Sequence, residues 1–150
     1  MKNLILICFL LSFKTVLLGQ EKTKPFKDGE WLKYKMSYSG FFKAGTAELT
    51  LKETDLNGKK VFHAKGFGKT SDFIGWFFKV RDTYQSYFDS NKVIPYLFKR
   101  DVNEGGYIMK RDIKFNQDTK IANIEDFKYN TTKEVTLGDV QDMISAFNYL

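Results

Sequence analysis

The fold is decided by residues 80–88, which read VRDTYQSYF and alternate between two sets of side chains. One set is Val80, Asp82, Tyr84, Ser86 and Phe88, and the other is Arg81, Thr83, Gln85 and Tyr87. Successive side chains of an extended chain point to opposite faces, so this period of two predicts a strand with one packed face and one wet face.

The same period recurs along most of the chain. Further segments with this alternation lie at residues 32–38, 47–52, 61–67 and 107–115. Turn signals separate the segments, and Asn57-Gly58 is the strongest of them. Evenly spaced strands joined by hairpin turns predict an antiparallel meander. We therefore expect a mainly β fold: a curved antiparallel sheet, barrel-like or sandwich-like, that covers one apolar face.

One aromatic segment breaks the period of two. Residues 71–78 read SDFIGWFF, and they predict either a short helix capped by Ser71 or Asp72 or a buried loop. Its large aromatic side chains are Phe73, Trp76, Phe77 and Phe78. Such side chains bury much apolar area, which favours a core plug that closes one end of the sheet. The functional alternative is a lip that lines a ligand site or touches a membrane.

A second change of period follows Asp139, which is suited to be the N-cap of a C-terminal helix. The apolar residues at helical spacing are Val140, Met143, Ile144 and Phe147. No helix stop signal precedes Leu150. We therefore expect the domain to be truncated at its C-terminus, with more chain to follow.

The N-terminus has the pattern of a secretory signal peptide. Lys2 gives it a positive start, residues 4–13 form the apolar run LILICFLLSF, and Gly19 is a small residue after the run. The run is too short for a transmembrane span, which needs about 20 apolar residues. An uncleaved membrane anchor is the alternative. The expected division is a signal peptide at residues 1–19, a linker at 20–29 and a single β-rich domain at 30–150. This division predicts export to the periplasm or cell envelope.

Composition narrows the possible classes of function. The one cysteine, Cys8, lies inside the predicted leader, so the mature domain has no disulfide and must depend on its core. The formal net charge of +6 is modest, and the basic residues form scattered pairs rather than a stripe. A nucleic-acid surface needs clustered charge, so we exclude nucleic acid as a partner. Weak attraction to anionic lipid head groups is compatible with this charge.

The sequence contains no recognisable catalytic or metal-binding motif. His63 is the sole histidine, and one histidine cannot form a multi-histidine metal site. We expect it to have a structural or solvent-facing role in a strand. The acidic residues near turns do not follow the spacing of a calcium loop. We therefore expect no cofactor and no metal, and we interpret the chain as non-enzymatic while leaving enzymatic activity open.

Seven short blocks together form a family pattern. They are residues 29–34 (GEWLKY), 44–47 (AGTA), 69–73 (KTSDF), 76–82 (WFFKVRD), 98–100 (FKR, with Pro95), 104–107 (EGGY) and 142–147 (DMISAF). Through them residues 26–150 resemble the bacterial envelope family catalogued as domain of unknown function 3108. The resemblance implies an exported protein with further strands after the helix. It implies no reaction and no catalytic residue.

Two classes of function are compatible with these features. The leading hypothesis is a non-enzymatic binding or assembly module of the cell envelope, whose sheet binds an envelope protein or an apolar ligand. The alternative is a carboxylate-based envelope hydrolase that uses Asp82, Glu104 or Asp112, and two carboxylates converging in a deep cleft would favour it. The blocks also place Arg81, Asp82, Arg100 and Glu104 as a possible charged network.

Overall fold

In the computed structural model, residues 27–40 and 42–147 are described, and they form one sheet of eight antiparallel strands with two short helices. The strands are β1 (Trp31–Tyr38), β2 (Phe42–Leu56), β3 (Lys59–Thr70), β4 (Arg81–Asp89), β5 (Pro95–Glu104), β6 (Tyr107–Asn116), β7 (Ile121–Asp126) and β8 (Thr131–Thr136). The helices are α1 (Asp72–Phe77) and α2 (Met143–Phe147). The predicted leader and linker residues 20–26 lie outside the described residues.

The strands follow each other across the sheet in sequence order, which confirms the predicted mainly β antiparallel fold. The sheet does not close into a barrel, because β1 pairs with β2 alone and β8 pairs with β7 alone. Within the described ranges neither helix is long and apolar enough to cross a membrane.

The hydrophobic core lies on one face of the sheet, where alternation places the inward set of each strand. Its buried members are Leu51, Phe62, Ala64, Phe88, Phe98 and, from α2, Ile144. We call this side the packed face and the other side the outer face. Helix α2 lies against β3 and β4, so it covers only part of the packed face.

The turns follow the chemistry of their residues. Asn57 and Gly58 both have positive φ, +54° and +84°, as the predicted two-residue hairpin turn requires. Gly105 also has positive φ, and a Cβ there would lie 2.1 Å from Cε2 of Phe78. Glycine at this turn therefore lets the Phe78 ring pack directly on the backbone. Pro95 takes the first position of β5, where its missing N–H is tolerated.

Two features of the C-terminal region differ from the prediction. The helix begins at Met143, and its cap is Asp142 rather than Asp139, because the Asp142 carboxylate accepts hydrogen bonds from the N–H groups of Ile144 and Ser145, both at 2.8 Å. Strand β8 was not predicted. Its sequence, TTKEVT, carries no alternation of apolar and polar side chains, and all of its residues are exposed.

Candidate functional site

A row of side chains crosses the packed face from one edge of the sheet to the other. Its members, paired strand by strand, are Leu32, Leu49, Gly66, Tyr84, Arg100, Arg111, Asp126 and Thr131. The side chains of this row are apolar on β1 and β2, and they carry polar groups from β4 onward. The residue between them on β3 is a glycine. The face thus offers apolar and charged surface side by side.

The next row toward α1 has a floor of small residues. Gly68 pairs with Ala47 on one side and with Asp82 on the other, and Tyr34 pairs with Ala47. A Cβ built on Gly68 would meet nothing within 4 Å. The space above Gly68 is therefore open, and we call it the glycine trough, with Tyr34, Ala47, Gly68, Asp82 and Tyr84 as its surroundings.

Helix α2 closes the trough on one side only. At Gly66, one row away from Gly68, a Cβ would already lie 3.4 Å from both Ile144 Cδ1 and Leu49 Cδ2. Gly66 thus lies under the core, whereas Gly68 lies beyond it. The trough begins where the cover provided by α2 ends.

Strand β1 lines the trough with apolar side chains that the described protein leaves uncovered. Leu32, Tyr34 and Met36 alternate onto the packed face, and all three are exposed. The methyl carbon of Met36 would lie 3.0 Å from a Cβ on Gly45, so its side chain extends over the small-residue floor. This side of the trough is suited to contact an apolar molecule.

An arginine lies at the opposite side of the trough. The Arg100 guanidinium lies 5.7 Å from the centre of the Tyr84 ring, and that ring stacks on Phe98 at 6.4 Å. Arg100 forms no salt bridge with any described residue. Its cross-strand neighbour Arg111 is already paired, because its Nε donates to Asp126 Oδ2 at 2.5 Å. Arg100 is therefore the guanidinium of this row that remains available to an acidic group.

Two carboxyl groups meet beside Arg100. Asp82 is only 7% exposed, and its Oδ1 accepts the N–H of Asn103 at 3.0 Å. A side-chain hydrogen bond to Asp82, together with the negative charge of Asp82, raises the pKa of Glu104, and the positive charge of Arg100 opposes this rise. Glu104 can therefore hold a proton that it shares with Asp82 through this hydrogen bond. A carboxyl that keeps its proton is also what a general acid requires. Glu104 is exposed whereas Asp82 is buried, so the pair extends from the surface into the protein.

The predicted charged residues divide between the two faces. Asp82, Arg100 and Glu104 share the packed face. Arg81 alternates onto the outer face, where its guanidinium lies 5.2 Å from the Phe67 ring centre. Asp112, the third hydrolase candidate, is also on the outer face, in a 2.7 Å salt bridge with Lys99. The structure therefore brings three of the four network residues together and leaves Asp112 apart from Asp82 and Glu104.

The shared proton predicts a specific pH dependence of stability. The folded pKa of Glu104 lies above its usual value of 4.5, so stabilisation by this proton is complete below about 4.5 and is lost as the pH rises through the folded pKa. Glu104→Gln replaces the proton with an amide N–H that donates to Asp82 at every pH. We expect the melting temperature of this variant, relative to wild type, to increase from pH 4 to pH 7, as thermal melts across that range would show. A constant difference would contradict the shared proton.

The aromatic segment is at the surface, so the interpretation as a core plug is wrong. Ser71 caps α1 by accepting the N–H of Ile74, but none of the six helix residues is buried. The four side chains are exposed, and Trp76 reaches 82%. Phe73, Trp76 and Phe77 are spaced so that they share one face of α1, and that face is exposed to solvent rather than packed on the sheet. We call Phe73, Trp76, Phe77 and Phe78 the aromatic lip.

His63 contacts two neighbouring side chains on the outer face of the sheet. Its Nε2 lies 2.9 Å from Gln85 Oε1, and its ring stacks on Tyr87 with 4.2 Å between centres. Burial lowers the pKa of His63, which keeps the imidazole neutral at physiological pH. No group of three or more potential metal ligands occurs in the described ranges.

Sequence reasoning identified Asp82, Arg100 and Glu104 but not the trough beside them. The available signal was Gly66-Phe67-Gly68, two glycines on the same face of one predicted strand. Glycine inside a strand often marks a close approach of another group to the backbone.

The comparisons with known proteins give one family. The model of the family described as "Protein of unknown function (DUF3108)" matches residues 33–150. No curated protein and no solved structure matches the chain.

Proposed function

The chain belongs to the DUF3108 family, and we propose that it is an exported, non-enzymatic binding protein whose glycine trough holds an amphipathic ligand with an acidic head group. The observation that carries the proposal is the open space above Gly68 between an uncovered apolar wall and Arg100, which has no salt bridge among the described residues. The predicted signal peptide supports export to the periplasm or cell envelope.

The apolar part of the ligand would lie over β1 to β3. Leu32, Tyr34 and Met36 are exposed there, and the floor of Ala47 and Gly68 leaves room for another group. Covering such side chains stabilises a complex by about 25 cal/mol for each Å² of apolar surface removed from water. A chain of methylene groups is the simplest partner for this surface.

The head group of the ligand would lie over Tyr84 and Arg100. The Arg100 guanidinium is half-buried, packed on the Tyr84 ring and without a salt bridge among the residues described. A guanidinium binds a carboxylate or phosphate in a bidentate manner, which gives both strength and orientation. The neighbouring carboxyls of Asp82 and Glu104 repel a negatively charged head group. The acidic group of the ligand would therefore be oriented toward Arg100.

The decisive experiment fills the trough without disturbing the fold. Gly68→Val adds a β-branched side chain to a strand position where a Cβ meets nothing within 4 Å. We expect fluorescent fatty-acid binding, measured by titration, to weaken about tenfold or more, corresponding to about 1.4 kcal/mol. The melting temperature should stay at or above that of wild type.

The matched control is Gly138→Val, because Gly138 also has open space around its Cβ but lies outside the sheet. All variants share the same N-terminus, so any contribution of the leader is equal. A second variant, Arg100→Gln, should reduce the preference for a fatty acid over the matching fatty alcohol. Equal probe binding by the Gly68 and Gly138 variants would contradict the proposal.

The alternative function, an envelope hydrolase, is favoured by one feature, the pKa of Glu104, which the Asp82 carboxyl raises. A carboxyl with a raised pKa beside a second carboxylate is the pairing that acid–base catalysis uses. A panel of ester and glycoside substrates tests it with wild type and Glu104→Gln. Turnover that is present in wild type and absent in the variant would support the hydrolase over the binding protein.

A further inference from the structure

The aromatic lip extends into a chain of ring contacts at one end of the sheet. Phe42 of β2 meets Phe73 edge to face at 5.1 Å, Phe73 meets Phe77 at 5.7 Å, and Trp76 meets Phe77 at 4.9 Å between centres. These rings contact one another while remaining exposed to solvent. An exposed patch of contacting aromatic rings is typical of a surface that meets a partner or a membrane.

A basic groove lies directly beside the lip. Its volume is about 400 Å³, and its lining includes Trp76, Lys69, Lys79, Arg81 and a single acidic side chain, Asp72. Lys69, Lys79 and Arg81 form no salt bridge within the described part of the chain. The groove therefore carries excess positive charge next to the apolar rings.

We propose that the aromatic lip docks on the surface of an anionic phospholipid bilayer. Tryptophan and phenylalanine partition into the interface between head groups and acyl chains, which would accept Trp76 and Phe77. The groove cations would then lie at the level of the lipid phosphates, where each basic residue strengthens binding about fivefold.

The charge pattern distinguishes a bilayer from other apolar partners. Aromatic rings alone would suit any apolar surface, but a lip bordered by three cations complements a surface that is apolar inside and negatively charged at its rim. The inference is independent of the glycine trough, because none of the lip or groove residues lines that trough.

Tryptophan fluorescence gives a direct readout of docking. The chain contains two tryptophans, so Trp31→Phe leaves Trp76 as the only one. We expect its emission to shift to the blue, and the protein to sediment, with vesicles of phosphatidylcholine mixed with phosphatidylglycerol. Vesicles of phosphatidylcholine alone should give weaker binding, and added salt should weaken binding to the mixed vesicles.

Paired variants separate the two parts of the surface. Trp76→Ser with Phe77→Ser should abolish sedimentation. Tyr129→Ser, which removes another exposed ring at a different turn, should leave it unchanged. Lys69→Glu with Lys79→Glu should weaken binding to mixed vesicles at least about 25-fold, and Lys92→Glu with Lys133→Glu is the matched control. Equal partition into both vesicle types, or unchanged sedimentation of the Trp76 and Phe77 variant, would overturn the proposal.

Discussion

Phe88→Ala is expected to lower the free energy of unfolding by about 3–5 kcal/mol. The Phe88 side chain is 0% exposed, and its ring packs on Phe62 with 5.9 Å between centres. Truncation removes its buried apolar surface and leaves a cavity between β4 and the strands beside it. Since a domain of this kind has about 5–15 kcal/mol of stability, the loss is a large fraction of the total. Chemical denaturation and thermal melts, with a fall of about 10–20 °C, would measure it.

Phe77→Ala is the matched control, because it makes the same change in a side chain that is 69% exposed. We expect it to alter the free energy of unfolding by less than about 0.5–1 kcal/mol. Similar losses of unfolding free energy for the two variants would contradict the assignment of Phe88 to the core and of Phe77 to the exposed surface.

Asp142→Ala is expected to cost about 3 kcal/mol, because several buried groups lose their partner at once. The Asp142 carboxylate accepts the hydroxyl of Ser86 at 2.6 Å as well as two backbone N–H groups at the start of α2. In return, Ser145 Oγ accepts the N–H of Asp142 at 3.0 Å, which makes a reciprocal cap. Ser86 and Ser145 are both fully buried, so water cannot replace the carboxylate.

Asp142→Asn keeps an oxygen for the two backbone N–H groups, but its NH2 group replaces the oxygen that accepts the Ser86 hydroxyl. Ser86 Oγ can accept from this NH2 group instead, so the substitution should cost only about 1 kcal/mol. Hydrogen exchange adds a local readout, since the alanine variant should lose protection in α2 before the sheet opens. A melting temperature of Asp142→Ala equal to that of wild type would contradict the role of this residue in fixing α2.

The sheet was predictable because its inner strands bury one side of each ribbon. The alternation of residues 80–88 and 107–115 reflects a difference between two faces that solvent imposes. Strand β8, TTKEVT, has no alternation of apolar and polar side chains, so the period of two does not reveal it. Asp139 and Asp142 are both residues that suit an N-cap, so a local helix rule cannot choose between them. Asp142 is also held by Ser86, which is 56 residues away and lies outside the reach of such a rule.

The site was predictable only where charge marked it. Asp82, Arg100 and Glu104 were predicted as charged residues within the family blocks, and the register brings them to one face. The trough exists because no atom lies within 4 Å of a Cβ position on Gly68, and an empty space of this kind cannot be predicted from a sequence pattern. The aromatic lip was assigned to the core because aromatic rings usually bury their area, whereas a six-residue helix at the end of the sheet leaves them exposed.

A photoreactive fatty acid, with a diazirine in its chain, tests most directly whether the glycine trough is the binding site. After irradiation of the full chain, peptide mass spectrometry would locate the attached residues. We predict adducts on Tyr34, Met36 or Tyr84, and their loss in Gly68→Val. Adducts confined to the outer face, around His63 or Tyr87, or equal labelling of wild type and the Gly68 variant, would contradict a ligand in the trough.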